Sequence, residues 1–256
     1  EAVIVSQVTQ LNGCRPKRPD IQPGLAFHYE PPSFLQYQTE LLQWVLRTVC
    51  TTPFYIEYDG SVALPAAIKE LRLNIAGNEY QMGIGGLHSR EQQAMYHTAN
   101  GFTIYDRDVT SYYPQLILNS GMYPAQLGQN FLRVYQRIVS RRVEAKAHGD
   151  KVTADSLKIT ANGTFGKLGS PFSDMYSPHQ MIQVTVTGQL SILMLIERLQ
   201  IAGIQVVSAN TDGITIFCPD VLKPVYLATV AQWERDTNLT TEEAVYAALY
   251  SRDVNN

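Results

Sequence analysis

Three short segments hold the residues best suited to chemistry. SANTDGITIF, residues 208–217, sets Asp212 two places after Asn210; FTIYDRDV ends on Asp108 and Val109; and KITANGTFG carries Lys158, Asn162 and Phe165. Flanked by apolar runs, Asp212-Gly213 is the dipeptide of a tight hairpin turn. As a divalent-cation site the same stretch would want a second carboxylate at 210, where a neutral amide stands. Lys158, Asn162 and Phe165 fall at i, i+4 and i+7 and share one helix face, on which the lysine either meets phosphate or faces solvent. Each feature alone has a plain reading: a strand-end cap, a solvated cation, a turn. Their order along the chain, strand end, helix, hairpin, is what joins them.

The elements that must position them can be read from periodicity. FTIYDRDV is a strand, and SYYPQLILNS is a helix that starts with Ser111 as cap. Phe131–Ala147 and Thr153–Leu168 have helical spacing and are broken by His148-Gly149-Asp150, a helix pair. Met181–Val207 is the most apolar stretch; it reads as a buried helix followed by a strand, because Gln183, Gln189, Glu197 and Arg198 interrupt it short of a membrane span. LRLNIAGNEYQMGIGG reads as a hairpin around Gly77-Asn78 that leads into GGLHS, a flexible joint. Residues 1–32, punctuated by Pro16, Pro19, Pro23, Pro31 and Pro32, are expected to be loop-like. A helix is expected from Phe34 to Thr48, and a last one near Lys223 to Trp233. No repeat or low-complexity tract is evident.

A chain of 256 residues with 45% apolar content can bury a core and suits one large domain or two small ones. Cys14, Cys50 and Cys218 lie far apart, with no Cys-x-x-Cys pair, so neither a disulfide framework nor a zinc site is signalled. His88, His97, His148 and His179 show no ligand spacing. The scattered cysteines fit a reducing, intracellular setting, and with neither a basic nor an apolar leader after Glu1 no secretory signal and no membrane partner are expected. Net charge is only −3, unlike a general nucleic-acid coat. Residues 130–167, however, carry eight basic residues against Glu144, Asp150 and Asp155, a net +5 that leaves −8 elsewhere. Such a cationic lobe is either a solvated face or a surface for phosphates.

DVTSYYP (108–114), KITANGTFG (158–166) and ANTDG (209–213) together resemble motifs A, B and C of family-B DNA polymerases, in particular the phage branch that includes protein-primed enzymes. Motif A of that family reads Asp-x-x-Ser-Leu-Tyr-Pro; Asp108, Ser111, Tyr113 and Pro114 match, with Tyr112 in place of Leu. Motif B reads Lys-x-x-x-Asn-Ser-x-Tyr-Gly; Lys158, Asn162 and Gly166 match, with Gly163 and Phe165 in place of Ser and Tyr. Motif C, Asp-Thr-Asp-Ser, appears as Asn210, Thr211, Asp212 and Gly213. Gly85 and Gly86 are similar to the Gly-Gly joint between the exonuclease and polymerase domains of those enzymes. The likeness covers about residues 68–218.

The resemblance implies an α+β fold, a polymerase palm of antiparallel sheet backed by helices, with a two-helix fingers insertion. The expected division is an unassigned N-terminal segment at 1–67, palm at 68–125 with motif A, fingers at 126–168 with motif B, and palm again at 169–256 with motif C. It implies template-directed DNA synthesis by two-metal-ion transfer of deoxynucleotides to a primer 3′ end, within a larger viral replicative polymerase. Asp108 and Asp212 would be the catalytic carboxylates on adjacent strands of one sheet, holding two Mg²⁺ ions, or Mn²⁺ in substitution, with the Val109 carbonyl. Asp106 is a bystander on the same strand face. Lys158 would contact the incoming triphosphate, with Arg142 and Lys146, four apart on the first helix, as further phosphate partners. The backbone amides from Ser111 through Tyr112 to Tyr113, at a helix start, are a natural triphosphate cradle. Asn162 shares the nucleotide-facing side, Phe165 would pack near the nascent base pair, and Tyr113 would be the gate that clashes with a ribose 2′-hydroxyl.

The implied partners are a DNA primer-template, deoxynucleoside triphosphates, and the exonuclease and thumb regions of a parent chain. Without those regions the 256-residue chain is expected to extend a primer poorly or not at all. Two rival readings stand beside this one. Asn210 and the missing thumb segment suit a catalytically degenerate polymerase-like module that only binds nucleic acid. A nuclease or cyclase could share the sheet, although the Lys and Asn of the middle segment argue for a triphosphate.

Overall fold

A computed structural model describes residues 1–251; the last five positions of the expected second palm segment lie outside it. Along the chain run α1 (Ala2–Asn12), β1 (Ala26–Phe27), α2 (Glu40–Thr51), β2 (Phe54–Tyr55), α3 (Ala66–Lys69), β3 (Leu73–Ile75), β4 (Asn78–Met82), β5 (Leu87–Arg90), β6 (Ala94–His97), β7 (Phe102–Val109), α4 (Tyr112–Ser120), α5 (Asn130–Ala147), α6 (Lys151–Leu168), α7 (Pro178–Ile201), β8 (Gln205–Asn210), β9 (Gly213–Pro219), α8 (Lys223–Thr237), β10 (Thr241–Tyr246) and β11 (Ala248–Ser251). They form two compact units, each discontinuous in sequence. One comprises Glu1–His28, Pro53–Ala63 and Ser111–Val184; the other comprises Tyr29–Thr52, Leu64–Thr110 and the chain from Thr185 onward. The predicted helix pair at 126–168 falls wholly in the first unit, and the predicted 68–125 segment is divided between Thr110 and Ser111.

The first unit is mainly helical. Phe131, Val134, Tyr135, Ile138 and Val139 give α5 a buried stripe, and the Tyr135 hydroxyl reaches α6 by donating to the Ala161 carbonyl at 2.9 Å. Asp150 caps α6, its carboxylate accepting from the Thr153 N–H at 3.1 Å. The predicted interruption at 148–150 is thus a helix–helix turn. The N-terminal loop expectation fails over its first third. The prolines begin only at Pro16, so nothing breaks α1, whose Ile4, Val5 and Val8 are buried. Asn12 ties it down, donating to the Leu127 carbonyl at 3.0 Å and accepting from Asn130 at 2.7 Å.

The second unit is built on a sheet. Among the described residues seven strands lie in the order β10-β7-β9-β8-β5-β4-β3, and every neighbouring pair is antiparallel. The stretch of α7 from Thr185 to Ile196 is buried all round, as a helix at the centre of a core must be. Bonds to neighbours tie the helix in: the Ser191 backbone carbonyl accepts from the Trp233 indole at 2.9 Å, and the Glu197 carboxylate, 2% exposed, accepts from the Gln38 N–H at 3.0 Å and the Thr39 N–H at 2.8 Å. That last pair corrects the predicted helix at 34–48. Because the amides of 38 and 39 bond to a distant carboxylate and not to carbonyls one turn back, the helix starts at Glu40 with Thr39 as its cap.

Two further corrections bear on the site. GGLHS is not a flexible joint: Leu87–Arg90 is a strand paired to β4 and β8. The glycines before it form a closed turn in which the Gly83 N–H donates to the Gly86 carbonyl at 2.9 Å. The buried Gln189 amide clamps that turn, accepting from the Gly83 N–H and donating to the Gly83 carbonyl, both at 3.0 Å. Beyond α8, β10 and β11 are strands the sequence did not announce. Nearly every residue of β10 is solvent-exposed, so it lacks the alternation that marks a half-buried strand. No helix among the described residues is long and apolar enough to cross a membrane.

Candidate active site

β7 and the β8–β9 hairpin carry the carboxylates. β7 pairs with β9 in a register that sets Asp108 opposite Gly213, and the Val109 N–H donates to the Asp212 carbonyl at 2.8 Å. Asp108 and Asp212 therefore meet at one end of the sheet. The turn differs from the predicted Asp-Gly turn: Asn210 pairs with Gly213, which leaves Thr211 and Asp212 as the loop residues. The Asp212 N–H bonds back to the Asn210 carbonyl at 2.6 Å, and Thr211 between them has φ 53°. This is the γ-turn of positive φ, rare and strained, and here its central residue is β-branched.

Gly213 is where a side chain could not be added without moving the site. A Cβ there would fall 2.0 Å from Asp108 Oδ1, so the carboxylate occupies the space a side chain would need. Partial desolvation, followed by the charges of Asp106, Asp212 and Glu242, raises the Asp108 carboxyl above the ordinary carboxylate value, although the residue is reachable by solvent. Asp106 is fastened into the sheet: its oxygens accept from the Thr215 hydroxyl at 2.9 Å and the Tyr246 hydroxyl at 2.7 Å. Glu242 is a carboxylate that sequence reading missed. It stands opposite Asp108 across the β10–β7 pair. The pair is locked on its other face by Arg107, which donates to the Tyr226 hydroxyl at 2.8 Å, to the Thr241 hydroxyl at 2.7 Å and to Glu243. Only the pairing of an exposed edge strand brings Glu242 there, and nothing in TTEEAVY signals it.

Among the described residues no group of three or more His, Cys, Asp or Glu side chains is arranged to hold a metal by itself. The donors at the hairpin suit an open site for a hard cation. They are oxygens only, and repulsion that already raises Asp108 is what a divalent cation relieves. Mg²⁺ is commonly held by one or two carboxylates with water and substrate phosphates completing the shell.

The other unit holds the remaining predicted residues. Ser111 stands at the N-cap position of α4 but does not cap it with its side chain; its φ is 51°, and its hydroxyl accepts from the Arg142 guanidinium. Arg142 Nε is buried without a hydrogen-bond partner among the described residues. Tyr112, Tyr113 and Phe165 form a stack: the Tyr112 and Tyr113 ring centroids are 5.6 Å apart, those of Tyr113 and Phe165 4.2 Å apart, with interplanar angles of 20° and 21°. The structure thus brings together Ser111 with Arg142, and Tyr113 with Phe165. Lys158 and Asn162 are exposed on the α6 face that also carries Phe165, and Lys146 is exposed one turn beyond Arg142 on α5.

No family model matches the sequence, and no curated protein does. Among solved structures, the family B DNA polymerase from the hyperthermophilic archaeon Pyrobaculum calidifontis matches with a TM-score of 0.51 at 17% sequence identity, over 77% of this chain and 29% of that one. The chain thus spans under a third of that polymerase, and the likeness is one of fold: mixed helix and antiparallel sheet of the family-B polymerase kind.

Proposed function

We propose that the chain is the palm and fingers part of a larger viral replicative polymerase of the phage family-B branch, and that it carries out template-directed DNA synthesis. The observation that carries this reading is the meeting of Asp108 and Asp212 at one sheet end, with the Asp108 carboxyl raised by partial desolvation and then by the charges around it. These two carboxylates and the Val109 carbonyl would hold Mg²⁺, or Mn²⁺ in its place. When bound, the cations neutralise charge on the transferring phosphoryl group and favour ionisation of the primer 3′-hydroxyl. Lys158, Arg142 and Lys146 supply cations for the triphosphate, for which Arg142 exchanges its bond to Ser111, and the amides of Ser111 to Tyr113 add helix-start donors. Asn162 lies on the same nucleotide-binding face. Phe165 supports the nascent base pair and, through its stack with Tyr113, braces the ring that excludes a 2′-hydroxyl.

Primer extension by the full-length parent protein in Mg²⁺ tests the reading, and its absence there would support the second one: a catalytically degenerate module that binds a DNA primer-template, to which the neutral Asn210 lends weight. Two substitutions separate the roles. Lys158→Ala raises the apparent KM for deoxynucleotides by about tenfold, the loss of one charge-assisted phosphate contact of about 1.4 kcal/mol; unchanged kinetics assign Lys158 to a solvated face. Tyr113→Ala lets ribonucleotides compete, because removing the ring deletes a clash and adds no attraction. Unaltered sugar discrimination would place the gate elsewhere.

A further inference from the structure

The strained turn at Thr211 is held by a neighbour outside the hairpin. The Thr211 N–H donates to the Leu87 carbonyl at 2.7 Å, and the Thr211 side chain rests directly on Gly86. A Cβ on Gly86 would lie 2.8 Å from Thr211 Oγ1, 2.9 Å from Cγ2 and 3.1 Å from Cβ. Rotating the threonine would not clear all three atoms, so its backbone would have to move. Gly86 is itself fixed, since its carbonyl accepts from the Gly83 N–H and Gly83 is clamped on both its polar groups by the buried Gln189. A backbone state that costs on the order of 1–3 kcal/mol persists only where its surroundings over-determine it. Here they do, and the next residue is Asp212, whose own N–H and carbonyl are both tied, to Asn210 and Val109.

We propose that Gly86 is a positioning residue for the Asp212 carboxylate, acting through Thr211: the Gln189-clamped glycine turn is the seat that holds the carboxylate hairpin in its working conformation. The inference rests on the polymerase reading and adds to it a role for the glycine turn other than a joint. It also accounts for the absence of any side chain at position 86, which is buried and whose φ lies outside the left-handed region, so that close approach, and not backbone freedom, is what demands glycine.

The test compares wild type, Gly86→Ala, Thr211→Gly and the double variant in the full-length parent protein. The readouts are Mn²⁺ affinity by electron paramagnetic resonance of the free ion, kcat and deoxynucleotide KM in primer extension, and thermal melting. Gly86→Ala is expected to weaken Mn²⁺ binding and lower kcat by about tenfold, with KM unchanged. Thr211→Gly loses the seated side chain but suits positive φ and keeps the bond from its N–H to the Leu87 carbonyl, so it is expected to lower kcat by only about threefold. The double variant returns to the level of Thr211→Gly, because the three atoms nearest the added methyl are then gone. Should Gly86→Ala fail to fold, recovery of folding by the double variant supports the same contact. The inference is overturned if Gly86→Ala matches wild type, or if Thr211→Gly does not rescue it. A wild-type parent that neither binds Mn²⁺ nor extends primers overturns the polymerase reading itself, and this inference with it.

Discussion

Asp108→Asn and Asp212→Asn each reduce nucleotide incorporation by at least about 10³-fold, some 4 kcal/mol of barrier, while Asn210→Asp leaves it within about tenfold. The contrast follows from which carboxylates the sheet fixes. Asp108 and Asp212 are joined through the Val109 N–H, whereas Asn210 is a strand-end residue opposite Gly213 and His88. Its amide oxygen can still accept a hydrogen bond or ligate weakly, and its neutrality removes one negative charge from a group already crowded by Asp106, Asp108, Asp212 and Glu242. The same crowding gives the prediction a second readout. The Asp108 carboxyl is raised in the folded chain, so the folded state disfavours its ionisation. Asp108 thus costs no stability below the ordinary carboxylate pKa of 3.8, and the cost grows as pH rises through the raised value and persists at neutral pH. Metal-free Asp108→Asn should therefore melt no lower than wild type at pH 7 and show a flatter dependence of melting temperature on pH above 3.8. An active Asp212→Asn variant would reduce the hairpin to a plain turn. A clear fall in melting temperature for Asp108→Asn would make that carboxylate a structural group.

Legibility of the fold followed the periodicity of burial. The α5–α6 pair and the α7-to-β8 stretch were readable because each buries one stripe, or is buried throughout, over enough residues for the pattern to repeat. β10 was not, because an edge strand exposed along its length has no apolar face to declare, and Glu242 went unread with it. The start of α2 was hidden for another reason: it depends on the buried Glu197, more than 150 residues away in sequence. The glycines of GIGG look alike to propensity, which registers only their freedom. Contacts across the sheet turn Gly86 into a seat for Thr211 and Gly213 into room for a carboxylate. Asp108, Asp212 and the Tyr113–Phe165 neighbours were named from motif order. The strain at Thr211 and the bond from Arg142 to Ser111 exist only in the folded chain and have no sequence signature.

Gly213→Ser, although it restores the residue that motif C of the resembled family carries, should lower kcat by about 100-fold, roughly 2.7 kcal/mol of barrier. The new Cβ would fall 2.0 Å from Asp108 Oδ1 and 3.2 Å from its Cγ, while the nearest backbone atom, the Arg107 carbonyl oxygen, lies at an ordinary 3.4 Å. What must yield is the end of an exposed side chain and not the sheet. The cost therefore falls on where the carboxylate points, and a shift of even about 1 Å is enough to cost 10²-fold when it misplaces a reacting group. The backbone itself tolerates the change, because Gly213 has no left-handed φ to protect. Melting temperature is accordingly expected to move by less than about 2 °C, on the order of 1 kcal/mol for a chain of this size. In an Asp108→Ala background the serine should leave melting and Mn²⁺ binding unchanged, since the atom it displaces is gone; this double-mutant cycle ties the effect to that one contact. If Gly213→Ser extends primers at the wild-type rate, Asp108 does its work from a position other than the one it holds over Gly213.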